Sequence, residues 1–226
     1  MILKKTLFPS VIFEDIDKKD AIIAVVFFII YFILSLILLR LLKNFILGMD
    51  STIETKEGRR LIVGLIFNSI PLLIILIILK IRNQGIETIG IRKKGLLSSL
   101  GIGLGVIAII TVVHIMTDKD SKVILMNLIF FVLVVGLGEE IVFRGFIWPR
   151  LVVGFGKVWG TVISGMMFGA MHAPMKIIIN ESLFIPAIMN ALGGGVVSSL
   201  IFVYIYTRNN NIVLPSFIHG ALDFMQ

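Results

Sequence analysis

Two adjacent carboxylates and an arginine interrupt an otherwise apolar stretch in the middle of the chain. The stretch VILMNLIFFVLVVGLGEEIVFRGFIW contains Glu139, Glu140 and Arg144. Glu140 and Arg144 are four residues apart, so in a helix they lie on one face and can form an ion pair. Glu139 is rotated by about 100° from Glu140 about the helix axis. We therefore expect Glu140 to anchor Arg144, and Glu139 to face a different part of the interior.

Two histidines elsewhere in the chain have notable neighbours at the same helical spacing. His172 ends the sequence FGAMH, four residues after Phe168, and His219 begins the sequence HGALD, four residues before Asp223. Imidazole accepts or donates a proton near neutral pH, and a neighbouring carboxylate can fix its tautomer or carry the proton itself. The spacing therefore predicts that His219 and Asp223 converge on one point.

The chemistry open to these groups is limited by what the sequence lacks. The chain has no cysteine, which excludes thiol nucleophiles, thiolate metal sites and disulfides. It also lacks the HExxH motif of zinc peptidases. A hydrolase built from this sequence needs a carboxylate or histidine that takes a proton from water, and donors that meet the developing oxyanion.

The elements that carry these residues are membrane helices. Of 226 residues, 58% are hydrophobic and only 15% charged, with a mean hydropathy of +1.05; soluble domains carry about 25% charged residues. Apolar runs of about 20 residues match the thickness of a bilayer, and their continuity favours helices over a barrel. The fold class predicted is an all-α polytopic bundle of about seven transmembrane helices, over residues 21–42, 61–79, 96–116, 123–148, 158–172, 183–207 and 212–226.

The distribution of charge supports a special role for the acidic residues inside the spans. Of fourteen acidic residues, only Glu139, Glu140 and Asp223 fall within predicted spans. A charge at mid-bilayer costs about 3 kcal/mol or more, so buried ionisable groups usually face a protein interior and find partners. Basic residues cluster in sequences predicted to be short polar connections, KKDAI, EGRRL and IRKKG. The net charge of +7 therefore reflects membrane topology and not a nucleic-acid partner.

The same basic residues predict an orientation. If seven helices alternate in direction, twelve lysines and arginines lie on the side of the N-terminus and eight on the opposite side. The positive-inside rule then places the N-terminus in the cytoplasm. The N-terminal residues lack an apolar core followed by a cleavage site, so no signal peptide is predicted. We expect an integral, multi-pass membrane protein.

Together the three polar sequences resemble a known family. EEIVFR, FGAMH and HGALD match, in order, the EExxxR, FxxxH and HxxxN or HxxxD signatures of the CAAX protease and bacteriocin-processing family of intramembrane endopeptidases. The resemblance covers residues 123–226, the predicted catalytic core. Residues 1–226 would form a single membrane domain that begins with a polar segment, 1–20. The resemblance implies a helical bundle around a water-accessible cavity. It also implies two partners, the lipid bilayer and a peptide or protein substrate, which is lipidated or unmodified.

The resemblance also implies roles for the individual residues. Glu139 would be the general base, His172 its partner, and His219 with Asp223 would stabilise the tetrahedral intermediate. Glu140 and Arg144 would support the site, and Phe168 would pack against His172 and fix its rotamer. Asp223 departs from the easier asparagine, because a carboxylate repels an oxyanion unless it is protonated or only orients His219.

Three alternatives stay open. Glu139, His172 and His219 are of the residue types that form a zinc site, so the same site could belong to a zinc metalloprotease; a metal-free site without cofactors is preferred. The protein could instead be a non-catalytic bacteriocin self-immunity or scaffold protein that retains the fold. Intramembrane Glu, His and Asp also form proton relays in transporters, but the sequence contains no recognisable inverted repeat.

Overall fold

The computed structural model describes residues 8–47, 53–117, 120–179 and 184–225. Within these ranges the chain is helical and contains no strand, which confirms the predicted fold class. The helices are α1 (Lys18–Leu47), α2 (Ile53–Ile81), α3 (Leu96–Met116), α4 (Ser121–Phe155), α5 (Lys157–Ile178), α6 (Phe184–Asn209) and α7 (Val213–Phe224).

Five of the described helices are long and apolar enough to cross a membrane: α1, α2, α3, α4 and α6. This finding agrees with an integral, multi-pass membrane protein, but it does not confirm the predicted count of seven crossing helices. Helix α7 has only 12 residues, whereas a span needs about 20. Helix α5 has 22 residues, but glycines, a histidine and a proline lower its hydropathy. The orientation of the N-terminus stays a prediction.

Helix α4 is the central element, and its hydrogen-bond pattern changes along its length. The segments Ile129–Gly136 and Ile141–Ile147 are π-helical, and a single α-helical turn, Leu137–Glu140, lies between them. Such π-helical turns are rare and are frequently found at functional sites. Helix α4 ends at Phe155 and is followed by Gly156, whose φ of 82° and ψ of 167° are accessible essentially to glycine alone.

The largest group of buried apolar residues surrounds the second half of α4. Phe143, Phe146, Ile147 and Trp148 are almost completely buried there. The Trp148 indole donates a hydrogen bond to Thr161 Oγ1 on α5 over 3.0 Å. The polar N-terminal segment takes part in this core, because the rings of Phe8 and Phe13 lie 6.1 and 5.6 Å from Trp148.

A polar cluster ties α1 to the end of α2 near the same part of α4. Asp20 is fully buried and accepts hydrogen bonds from Arg82 Nε and Gln84 Nε2, each over 2.8 Å. Gln84 Oε1 in turn accepts one from Arg150 Nη2 over 2.6 Å. Because each buried charge has a hydrogen-bonding partner, the cluster holds these three helices together without an isolated charge.

Candidate active site

The site begins with a close approach of α4 and α7. A Cβ atom added to Gly136 would lie 2.4 Å from the carbonyl oxygen of Ser216, and one added to Gly220 would lie 2.4 Å from that of Phe131. Neither position has room for a side chain, so the two backbones are in direct contact. This contact brings His219, the neighbour of Gly220, against the α-helical turn that carries Glu139 and Glu140.

Glu140 connects two basic side chains in the interior. Its Oε1 accepts a hydrogen bond from Arg144 Nη1 over 2.9 Å and another from His219 Nδ1 over 2.8 Å. The side chains of Glu140 and Arg144 are completely inaccessible to solvent. The ion pair predicted from the four-residue spacing is therefore formed, and the contact to His219 links it to α7.

Two aromatic rings enclose the Arg144 guanidinium. Its Cζ lies 4.0 Å from the ring centroid of Phe168 and 5.1 Å from that of Phe202. Phe202, on α6, also stacks on the His219 ring at 4.8 Å. Phe168 contacts His172, as expected, at 4.8 Å, and in addition contacts Arg144. Sequence reasoning missed Phe202, because nothing distinguishes it from the other apolar residues of α6.

Glu139 faces away from this buried pair and toward both histidines. Its Oε2 lies 3.9 Å from His172 Nε2 and 3.9 Å from His219 Nε2. These separations exceed a direct hydrogen bond, and Glu139 Oε2 has no hydrogen-bond partner among the described residues. They are short enough for one water molecule to contact an oxygen and a nitrogen at once. Glu139, on α4, thus meets one histidine from α5 and one from α7.

The remaining contacts of the histidines determine which ring nitrogen carries a proton when the ring is neutral. His172 Nδ1 lies 2.9 Å from the Phe168 carbonyl oxygen, which can only accept a hydrogen bond. His219 Nδ1 lies against Glu140 in the same way. Both Nδ1 atoms therefore donate, and both Nε2 atoms face Glu139. Asp223 Oδ2 lies 3.6 Å from His219 Nε2, so the four predicted catalytic residues are brought together.

A cavity of ≈ 370 Å³ reaches this cluster. Glu139 and His172 line it, together with Asn68 and Tyr31. Most of its other wall residues are apolar: Leu39, Ile46, Val63, Phe67, Phe130, Val135, Phe143, Met171 and Met175. The Asn68 side chain packs directly on Gly138, where a Cβ would lie 2.5 Å from its Oδ1. A largely apolar cavity with a few converging polar groups is typical of a ligand site.

The sequence EGRRL was predicted to form a polar connection between spans, but it lies inside a helix. Its basic residues, Arg59 and Arg60, belong to α2, which begins at Ile53 and not at residue 61. With Lys56 they line the same cavity as Glu139. The prediction was wrong because charged residues at the end of a membrane helix lower its hydropathy without ending the helix.

The described residues do not form a metal-binding group of three His, Asp or Glu side chains. Two ligands bound to a tetrahedral zinc at about 2.0–2.1 Å lie about 3.3–3.4 Å apart. The pairs formed by Glu139 with His172 and with His219 are wider, at 3.9 Å. As arranged here, these residues do not fit a bound zinc ion.

Residues 121–225 match the family model described as type II CAAX prenyl endopeptidase Rce1-like. This match confirms the predicted resemblance of this part of the chain to the CAAX protease family. The CAAX protease match runs from the start of α4 to the end of α7 and contains all seven predicted site residues: Glu139, Glu140, Arg144, Phe168, His172, His219 and Asp223. No curated protein and no solved structure matches the chain. Helices α1 to α3 lie outside the CAAX protease match.

Proposed function

We propose that this protein is an intramembrane endopeptidase that hydrolyses peptide bonds of membrane-associated substrates with water activated by Glu139. The observation that carries the proposal is the position of Glu139 Oε2, 3.9 Å from Nε2 of both His172 and His219. A general base must reach the proton it removes directly or through one water molecule. The side chain also lines the cavity and is 22% exposed, while Oε2 itself is buried.

The proposed reaction begins with a water molecule between Glu139 and His172. Glu139 removes one proton from this water, and the water oxygen bonds to the carbonyl carbon of the substrate. The negative charge moves to the carbonyl oxygen of a tetrahedral intermediate. When the C–N bond breaks, Glu139 returns its proton to the departing amine nitrogen, and the products are a carboxylic acid and an amine.

His219 is proposed to stabilise the oxyanion. Three carboxylates, those of Glu139, Glu140 and Asp223, surround its ring at 2.8–3.9 Å, and they neutralise a positive charge on it. A protonated ring donates from Nε2, the nitrogen that faces the cluster. Asp223 then acts through His219 and does not itself meet the oxyanion. Because Asp223 Oδ2 lies only 3.6 Å from His219 Nε2, this assignment requires a protonated Asp223 carboxyl, which does not repel the oxyanion.

Glu140, Arg144 and Phe168 are proposed positioning residues. Glu140 fixes the orientation of the His219 ring through Nδ1, and Arg144 neutralises Glu140. The Phe168 ring lies next to the Arg144 guanidinium and also contacts the His172 ring. Each acts through another residue, as the orienting group of a catalytic histidine does in other hydrolases.

The substrate is proposed to be a peptide segment in or at the membrane, with or without an attached lipid. The cavity wall near Glu139 is apolar over most of its area, and it includes Phe67, Phe143, Met171 and Met175. Apolar side chains or a lipid chain bind such a surface, while the peptide bond needs the polar cluster at its end. The bilayer and a peptide are therefore the proposed partners.

The test is cleavage of internally quenched peptides, prenylated and unmodified, by purified protein in detergent. Wild-type protein should cleave at least one of them, and Glu139→Gln should lower kcat by about 10²–10⁴-fold, the usual contribution of a general base. Glu87→Gln, an exposed glutamate outside the cavity, is the matched control and should keep full activity. Equal rates for wild type and Glu139→Gln would exclude this mechanism. If cells that produce the Glu139→Gln and His172→Ala variants are still protected against a bacteriocin, an immunity or scaffold role would instead be supported.

A further inference from the structure

Helix α1, which lies outside the family match, contributes a row of side chains to the wall of the cavity. Tyr31, Ser35 and Leu39 line the cavity at intervals of four residues, which is the spacing of one face of a helix. Two of these three side chains carry a hydroxyl group. Neither hydroxyl takes part in the reaction proposed above.

The packing of α1 against α4 determines which part of α4 Tyr31 faces. The start of α1 lies against the end of α4, where a Cβ atom added to Gly154 would meet Ala21. Farther along, the ring of Phe27 contacts the ring of Phe146 at 5.0 Å. The two helices are therefore antiparallel. Because Tyr31 follows Phe27 by one helical turn, it faces the turn of α4 that precedes Phe146.

Tyr31 is consequently close to the catalytic carboxylate. The part of α4 that it faces lies about three residues beyond Glu139, or about 5 Å along the helix axis. The charge of the Glu139 carboxylate acts on the Tyr31 hydroxyl, and both side chains line the same cavity. The phenol of Tyr31 therefore lies beside the place where the peptide bond must bind.

Among the hydroxyl and amide side chains of the described cavity wall, that of Tyr31 is the one available to a substrate. The Asn68 amide donates a hydrogen bond to a backbone carbonyl of its own helix, and its oxygen packs on Gly138. Ser35 Oγ has no partner among the described residues, but it is enclosed and cannot reach a ligand. The Tyr31 hydroxyl makes no hydrogen bond to the described residues and is not enclosed in this way. Since a buried tyrosine usually has a hydrogen-bond partner, this hydroxyl can bind a group that enters the cavity.

The proposed position of the carbonyl oxygen determines where the amide nitrogen of the substrate points. His219, the proposed oxyanion donor, contacts Glu140 and Phe202 and is not among the described residues that line the cavity, whereas Glu139 is. In a trans peptide bond the C=O and N–H groups point in opposite directions. A scissile C=O directed past Glu139 to His219 therefore directs its N–H back toward the cavity wall that contains Tyr31.

We propose that Tyr31 is a further catalytic residue, whose hydroxyl oxygen accepts a hydrogen bond from the N–H of the scissile peptide bond. The inference rests on the proposed endopeptidase reaction and extends it to the leaving group. As the nitrogen becomes tetrahedral, a fixed N–H keeps the nitrogen lone pair away from Tyr31 and toward Glu139. Glu139 then returns the proton that it removed from water, the C–N bond breaks and the amine leaves, while Tyr31 keeps its own proton.

A hydrogen-bond acceptor fits this position better than a proton donor. A carboxylic acid is a much stronger acid than a phenol, with ordinary pKa values of about 4.3 and about 10. When the amine leaves, Glu139 already holds the proton from water, so the nitrogen takes that proton and not the one on Tyr31. A phenolic oxygen can accept a hydrogen bond without losing its proton. Tyr31 and His219 then bind opposite edges of the same peptide bond.

The experiment uses two peptides that differ only at the bond that wild-type protein cleaves, which is an amide in one and an ester in the other. The ester has no N–H that could donate to Tyr31. Tyr31→Phe should therefore lower kcat for the amide by about tenfold and leave kcat for the ester unchanged. Two matched controls should change neither rate. Tyr204→Phe removes the hydroxyl of an exposed tyrosine outside the cavity, and Ser35→Ala removes the enclosed hydroxyl one turn from Tyr31.

The pattern across the two substrates decides between the possible roles of Tyr31. An equal loss for amide and ester would indicate a role at the carbonyl oxygen or in packing, and an unchanged amide rate would show that the hydroxyl is not used; each result overturns the inference. Full ester hydrolysis by Tyr31→Phe also shows that this variant is folded. Glu139→Gln should lower both rates. If it lowers neither, the proposed reaction is contradicted instead.

A binding measurement tests Tyr31 without cleavage. The Glu139→Gln variant is titrated with the peptides of the cleavage test, in which one peptide bond at a time is replaced by an ester. One replacement should weaken binding by about three- to tenfold, and this loss should disappear when Tyr31→Phe is added. If no replacement depends on Tyr31, or if the one that does is not at the bond that wild type cleaves, the inference is overturned even when cleavage occurs.

Discussion

Glu139 and Glu140 are adjacent in the chain, but their carboxylates lie in different surroundings. Glu140 is completely buried and its Oε1 accepts hydrogen bonds from Arg144 and His219. Glu139 is 22% exposed, and its nearest basic atoms are 3.9 Å away. One turn of α-helix between two π-helical segments thus carries a carboxylate that organises the interior and a second one that faces the cavity.

The two glutamates should therefore differ in their effect on stability. Glu140→Gln leaves Arg144 buried without a counter-charge and should lower the free energy of unfolding by about 3–5 kcal/mol. Glu139→Gln removes no hydrogen bond and should change it by no more than about 0.5 kcal/mol. Thermal unfolding in detergent, followed by the fluorescence of buried Trp148, measures both. Equal shifts for the two variants would contradict the assigned surroundings.

Phe168 should stabilise the protein through Arg144 as well as through packing. A desolvated cation over an aromatic face contributes about 2 kcal/mol, and Phe168→Leu removes that face while it keeps an apolar side chain. We expect a loss of about 2 kcal/mol or more in unfolding free energy, and a smaller loss for Phe202→Leu, whose ring is farther from Arg144. Phe45→Leu, on the exposed face of α1, is the control. If Phe168→Leu and Phe45→Leu lower the unfolding free energy by the same amount, the cation–π contact is excluded.

Two helical glycines, one on α3 and one on α7, predict substitutions with opposite effects on stability. Replacing glycine with alanine inside a helix usually stabilises it by up to about 1 kcal/mol. Gly105 on α3 has open space around its Cβ position, so Gly105→Ala should show this gain. Gly220→Ala forces a Cβ against the Phe131 carbonyl and should instead destabilise by about 1–3 kcal/mol. Activity should fall with it, because His219 moves from Glu140; unchanged activity in Gly220→Ala would argue against the close contact.

Spacing rules predicted much of the site. Glu140 and Arg144 pair because residues four apart share a helix face in either helical form present here, and HGALD brings Asp223 to His219 for the same reason. A single sequence does not show which helices are in contact. Only the family resemblance therefore predicted that EEIVFR, FGAMH and HGALD come together. The Gly136 and Gly220 contact that joins α4 to α7 is a property of packing.

Other parts of the structure lacked a usable signal. The π-helical segments of α4, IFFVLVVG and IVFRGFI, consist almost entirely of ordinary apolar residues. The sequence analysis assumed an α-helical repeat throughout and therefore could not detect them. Hydropathy also set the wrong start for α2, because Lys56, Arg59 and Arg60 read as a polar connection although their long side chains lie along the cavity wall. Predicted spans 158–172 and 212–226 correspond to helices that length and hydropathy do not mark as membrane-crossing.

The polar cluster at the start of α1 predicts a dependence of stability on pH. Asp17 accepts a hydrogen bond from the backbone N–H of Lys19 and pairs with Arg82, and both contacts lower the pKa of its carboxyl below 3.8. A carboxyl whose pKa is lower in the folded state stabilises it above the unfolded pKa, and this stabilisation is lost as pH falls through the folded value. Unfolding midpoints should decline below about pH 4 in wild type and less steeply in Asp17→Asn. If the unfolding midpoints of wild type and Asp17→Asn decline in parallel with pH, Asp17 does not contribute to the pH dependence of stability.

Removal of metal ions should leave the reaction intact. The proposed mechanism uses Glu139 and two histidines without a metal, so protein dialysed against a strong chelator should cleave peptides at the untreated rate. Matched dialysis without chelator is the control. Loss of activity that returns on addition of Zn²⁺ would support the alternative, a zinc ion held by Glu139, His172 and His219 after a rearrangement of these side chains.

The two π-helical segments of α4 also determine the rotational phase of the turn between them. Deleting one residue before Leu137 would rotate the following residues by about 100° about the helix axis. That rotation would present a different side chain at the place where Glu139 now faces the histidines. A single-residue deletion in Ile129–Gly136 could thus exchange the functions of neighbouring positions without changing their chemistry. The length of this apolar segment is therefore as much a part of the site as its charged residues.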